Sequence, residues 1–139
     1  MKFQKLFLIL LLSTSLTVLA DTTMYDKYGQ KTGSYQTDSF GNVTQYDKYG
    51  QKVGSFQTNG STTYEYDKYG QKTGSFQTSG STTYEYDKYG QKTGSYQTDS
   101  FGNVTQYDKY GQKVGSYRKD SSGNITQYDK YGQKVGSYR

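Results

Sequence analysis

The chain has 139 residues, seventeen Lys and Arg against twelve Asp and Glu, and no His, Cys, Pro or Trp. That inventory excludes a disulfide framework, Cys or His metal sites and catalysis centred on His or Cys. The formal net charge of +5 comes from basic residues interspersed with acids, which describes a mixed solvated surface and argues against a nucleic-acid partner.

Residues 1–20, MKFQKLFLILLLSTSLTVLA, read as an export signal. Lys2 and Lys5 form a positive n-region, Phe7 to Leu12 begin the apolar stretch, and Val18 with Ala20 offer small residues for cleavage after Ala20. The apolar run is well short of the roughly 18 to 20 residues a spanning helix needs. The expected location is therefore outside the cytoplasm: secreted, at the cell surface or in the periplasm. Residues 21–139 are expected to form one β-repeat domain with no membrane span.

That domain contains no Leu and no Ala. Its aliphatic residues are Met24, Val43, Val53, Val104, Val114, Ile125 and Val135, whereas all eighteen Tyr lie within it. A core must therefore be aromatic, each buried ring removing about 150 to 250 Å² from water. The motif YDKYGQK starts at Tyr25, Tyr46, Tyr66, Tyr86, Tyr107 and Tyr128, a spacing of 20 or 21 residues that marks stacked supersecondary units.

Each unit reads as two strands and two turns. Asp47-Lys48-Tyr49-Gly50-Gln51 has an Asp able to bond its own backbone and a Gly where positive φ is needed, which is type I turn plus bulge chemistry. Asp38-Ser39-Phe40-Gly41-Asn42 is a related turn at the other end, with counterparts at Asp99 to Asn103 and Asp120 to Asn124. Asn59-Gly60 and Ser79-Gly80 replace it in the two shorter copies. The strands of a unit fall near Asn42 to Asp47 and Gln51 to Thr58. Period two puts Thr44 with Tyr46 on one face and Val43, Gln45 and Asp47 on the other. On the returning strand Lys52, Gly54 and Phe56 share a face, and Tyr46 and Phe56 are the expected packing residues.

Tandem antiparallel hairpins, six copies in all, predict an all-β fold stacked into an elongated twisted sheet or a solenoid-like array. A membrane barrel is disfavoured, since its strands need about 9 to 11 residues with a lipid-facing apolar side.

The phrase Tyr46 to Gly50, then Gly60, then Thr63-Tyr64-Glu65-Tyr66-Asp67 resembles the YD repeat of RHS proteins and teneurins, and the resemblance covers Tyr25 to Arg139. It implies strand-turn-strand units joined into a spiralling sheet, which in long members encloses a toxin or builds a cell-surface shell. The spacing is also similar to the hairpin repeats of glucan- and choline-binding modules of bacterial cell walls, though those rely on Trp. Curli-type amyloid subunits are a third similarity, in period and in Gln, Asn, Gly and Ser content.

Every Asp, Lys and Tyr sits in a repeated setting, so no local constellation stands out as catalytic and the chain is read as a non-enzyme. The Asp-Lys-Tyr-Gly-Gln turn lacks the closely spaced oxygen ligands of a calcium loop, and no metal or cofactor is expected. Two functions remain open. The first is binding of a polysaccharide or envelope component by a row formed by Tyr28, Tyr49, Tyr69, Tyr89, Tyr110 and Tyr131, flanked by Lys27, Lys48, Lys68, Lys88, Lys109 and Lys130. Equally, these rings could simply cover the sheet end and brace the turns. The second is a self-assembling structural subunit that associates through unpaired sheet edges. Arg118, Lys119 and Arg139 would guard one such edge.

Overall fold

The computed structural model describes residues 21–139; residues 1–20, on which the export-signal expectation falls, lie outside the described residues. Twelve strands follow in chain order: β1 Thr22–Asp26, β2 Lys31–Thr37, β3 Val43–Asp47, β4 Lys52–Asn59, β5 Thr62–Asp67, β6 Lys72–Ser79, β7 Thr82–Asp87, β8 Lys92–Thr98, β9 Val104–Asp108, β10 Lys113–Lys119, β11 Ile125–Asp129 and β12 Lys134–Tyr138. All are antiparallel to their neighbours, as the two-strand reading of each repeat predicts.

The array is not open. β1 pairs with β12, Met24 opposite Tyr138, and the strands close into a barrel. The elongated sheet or solenoid is thus corrected. Each hairpin twists and steps relative to the next, and after six hairpins the accumulated turn brings the last strand beside the first. Thr23 N donates to the Arg139 carbonyl at 2.7 Å and Arg139 N to the Thr23 carbonyl at 2.9 Å, so the closing strands bond across the seam. Among the described strands each has two neighbours, which removes the free edges on which self-association was expected to rest. Arg139 is no edge guard: its guanidinium lies 5.5 Å from the Tyr25 ring centre, across the seam. Likewise Arg118 covers Tyr128 at 5.3 Å.

One irregularity in every hairpin decides which residues face inward. Gln45 stands opposite Gly54 but Tyr46 stands opposite Lys52, so Val53 is an extra, bulged residue. The same shift recurs in the other five hairpins. It reverses the expected partnership on the returning strand: Gly54 and Phe56 face the lumen, while Lys52 turns out beside Tyr46. Tyr46 is accordingly half-buried on the outer wall and is not an internal packing residue. On that wall Lys72 and Lys92 each hold their ammonium 4.8 Å from the ring centres of Tyr64 and Tyr84.

Inside, one aromatic per repeat forms a continuous layer: Tyr35, Phe56, Phe76, Tyr96, Tyr117 and Tyr138, each 0–4% exposed. Burying each contributes about 1.5–3 kcal/mol. Tilted rings meet at 6.5 Å between Tyr35 and Phe56 and at 6.4 Å between Phe76 and Tyr96. Val43, Thr63, Thr83, Val104 and Ile125 fill the gaps on the alternate strands. The wall is tight where the inner glycines sit: a Cβ on Gly74 would lie 2.7 Å from the Tyr86 carbonyl oxygen of the next strand.

Candidate functional site

All six YDKYGQK turns emerge at one end of the barrel, because they join β1 to β2, β3 to β4 and so on around the ring. Each is built alike. Asp47 N donates to the Gln51 carbonyl at 2.9 Å, Gly50 N to the Asp47 carbonyl at 3.1 Å, and the Asp47 Oδ1 accepts from Tyr49 N and Gln51 N at 2.9 Å. Gly50 takes φ 80°, which a residue with a Cβ adopts only under strain. Asp26, Asp67, Asp87, Asp108 and Asp129 accept the same two bonds in their own turns. The Asp carboxylates thus serve the backbone.

The third residue of each turn is left over. Tyr28, Tyr49, Tyr69, Tyr89, Tyr110 and Tyr131 are 77–78% exposed and together crown the rim. Lys27, Lys48, Lys68, Lys88, Lys109 and Lys130 each place Nζ 5.0–5.1 Å from the adjacent ring centre. The expected row is present as a set of residues, bent into a ring by closure.

The turns at the opposite end show what the tyrosines are for in mechanical terms. In the Asp120 turn, Ser122 stands where the crown has Tyr. Ser122 N and Asn124 N donate to Asp120 Oδ1 at 2.9 Å, and Gly123 N donates to the Asp120 carbonyl at 3.1 Å. These backbone-donated bonds match those of the Asp47 turn, with one more at 3.1 Å from Asn124 Nδ2 to Asp120 Oδ2, so the turn forms without a ring at that position.

Within the crown the lumen opens as a cavity of about 870 Å³. Val53, Thr73, Thr93 and Val114, the bulged residues just past the turns, line its upper wall. Gln45, Glu65, Glu85 and Gln106 also line it, with the buried Phe56 and Tyr96 beside them. Tyr96 donates its hydroxyl to Glu85 Oε2 at 2.8 Å and accepts from Gln106 Nε2 at 3.3 Å. Burial, reinforced by Glu85, pushes the Tyr96 phenol far above its ordinary range. Burial does the same to Tyr35, Tyr117 and Tyr138. Gln45 is 6% exposed, and its Nε2 has no hydrogen-bond partner.

Sequence reasoning misses this inner ring because it takes Tyr46, and not the Val43 and Gln45 face, as the packing side of the outgoing strand. A signal existed: the position after Thr44 is Gln in three copies but Glu65 and Glu85 in the two with short turns, and Met24 in the first.

The fold and rim define a closed all-β barrel of hairpin repeats with an aromatic, basic crown. No family model matches the sequence, and a search of curated proteins finds no match. Among solved structures the chain is similar to alternansucrase in complex with isomaltononaose, at 23% identity and a TM-score of 0.22 over 81% of this chain. The chain spans 10% of the length of that protein. It is also similar to the Japanese Marasmius oreades lectin, at 12% identity and a TM-score of 0.24, over 89% of this chain and 94% of the lectin. At such TM-scores neither likeness carries an argument about this chain.

Proposed function

We propose that the chain is an exported, non-enzymatic binding module whose crown takes a polysaccharide of the cell surface or its surroundings. The observation that carries this reading is the exposure of six tyrosines, 77–78% each, at a turn position that Ser122 fills equally well elsewhere. Flat rings cover the C–H faces of sugars, and the neighbouring lysines attract carboxylate or phosphate groups on the same polymer. Each contact is weak; a repeating ligand that engages several at once gains by effective concentration. The exposed Gln30, Gln51 and their equivalents lie on the same rim and offer amide groups to hydroxyls.

The test is retention of residues 21–139 on immobilised polysaccharides: an uncharged β-glucan, a uronate polymer, and an unmodified matrix as reference. Selective retention that weakens when Tyr49, Tyr69 and Tyr89 are changed to Ser supports the proposal. Retention on neither polymer, or retention unaffected by those changes, overturns it. The lysine contribution is read from salt: retention on the uronate falls with ionic strength while that on the uncharged glucan does not.

A further inference from the structure

Folding sorts the charges that alternate along the chain. The crown end gathers twelve exposed lysines: one in each turn, and one that opens the strand directly after it, as Lys52 opens β4 and Lys72 opens β6. The six turn Asp oppose them and leave this end at +6, whereas the rest of residues 21–139 holds three basic residues against six acidic ones, a charge of −3. The crown is also flat. Gly136 pairs with Asp26 across the seam as Gly33 pairs with Asp47 and Gly54 with Asp67, and the other three junctions between hairpins repeat that register. Six equal steps that return to their start cannot climb along the barrel axis, so the six turns stand at one height. Adjacent turns are two strands apart, about 10 Å at the usual strand spacing.

We propose that the crown docks end-on against an anionic lipid surface, a partner beyond the polysaccharide and one that does not rest on it. A linear polymer lies across part of the ring; a plane meets all six turns at once. The six turn lysines reach headgroup phosphates, and clusters of about four to eight lysines recognise anionic lipids with each lysine strengthening binding roughly fivefold. The second six follow the tips by about three residues, or about 10 Å, which is near the reach of screened attraction. Tyrosine rings settle at the headgroup level, apolar face inward and hydroxyl in water. Each turn lysine, 5.0–5.1 Å from the centre of its ring, arrives there with it. The axial polarity turns the barrel crown-first as it nears a negative surface. The opposite rim is the poorer candidate: its exposed Phe40 and Phe101 sit in turns opened by Asp38 and Asp99, in the part of the molecule that is net negative.

Co-sedimentation of residues 21–139 with vesicles tests this, using phosphatidylcholine alone and phosphatidylcholine mixed with an equal part of phosphatidylglycerol. Partition onto the anionic vesicles is expected to be at least about tenfold stronger than onto the neutral ones, and to weaken as salt rises. Two variants with the same loss of charge separate oriented docking from a general effect of net charge. Lys68→Gln/Lys88→Gln, at the crown, should weaken partition about twentyfold; Arg118→Gln/Lys119→Gln, at the far end of β10, should change it by less than about threefold. All four side chains are exposed, and circular dichroism checks that each variant is folded; should the crown pair fail to fold, Lys27→Gln/Lys130→Gln takes its place. No partition onto the anionic vesicles, equal partition onto both kinds, or a loss in the far-end variant as large as in the crown variant overturns the proposal. The vesicles carry no polysaccharide, so retention on a glycan without vesicle binding overturns this proposal alone, and vesicle binding without retention overturns only the polysaccharide reading.

Discussion

The two ends of the barrel are built by the same backbone and dressed by different side chains. At the crown, six turns carry the same Asp-Lys-Tyr-Gly-Gln. At the far end the corresponding position holds Phe40, Phe101 or Ser122, and two connections shorten to Asn59-Gly60 and Ser79-Gly80. Backbone hydrogen bonding is the same in the five-residue turns of both ends, 2.9 Å from the Asp N to the last carbonyl and 3.1 Å from the Gly N, and the far-end turns add a bond of 3.0–3.2 Å from the Asn42, Asn103 or Asn124 amide to the Asp carboxylate. What the comparison teaches is a separation of tasks. Asp and Gly make the turn, the inner glycine and aromatic make the wall, and the crown tyrosine does neither.

The largest effect is expected from the wall that both ends share. Gly74→Val drives a Cβ against the Tyr86 carbonyl, 2.7 Å from where it must sit, and should destabilise the protein by about 3 kcal/mol or more in denaturant unfolding. A milder result would mean that the strands can slide apart at the bulge. Next come the turn carboxylates: Asp47→Ala at the crown and Asp99→Ala opposite each remove an acceptor for two backbone N–H groups. Each should lower the melting temperature by a few degrees, and by similar amounts, if the two rims are mechanically equivalent.

Alkaline pH tests the interior. The four buried phenols Tyr35, Tyr96, Tyr117 and Tyr138 have pKa values raised by burial above the unfolded value of about 10. Between about pH 10 and those higher values the folded chain holds more protons than the unfolded chain, so stability falls as pH rises and is intact below pH 10. Melting temperature measured from pH 8 to 11 should stay level and then drop. The smallest effect belongs to the crown: Tyr49→Ser should shift stability by no more than about 0.5 kcal/mol, since the ring is 78% exposed and Ser122 already serves in an equivalent turn.

Much of this was legible from residues alone. The repeat, two strands per unit, the Asp and Gly turns and an aromatic core all follow from local chemistry, and Phe56 does face inward. Closure was not legible, because it depends on the twist summed over six hairpins and no single residue encodes that sum. Nor was the register across the bulge: the extra residue Val53 places Lys52 outside with Tyr46 and Gly54 inside with Gln45, so the Tyr46 side, expected to pack, is the outer wall and Gln45, Glu65 and Glu85 take the inner face. The crown residues were named from the turn motif, but their arrangement as a ring around a mouth needed the closed barrel.

The central claim is that the crown tyrosines are dispensable for folding and required for retention on a polysaccharide. The most direct measurement is made on one protein in which Tyr28, Tyr49, Tyr69, Tyr89, Tyr110 and Tyr131 are all changed to Ser, followed by thermal unfolding and by passage over the polysaccharide that retains the parent. Cooperative unfolding near the parent temperature with retention lost is the predicted result. Loss of the folded state, or full retention without the rings, would contradict it.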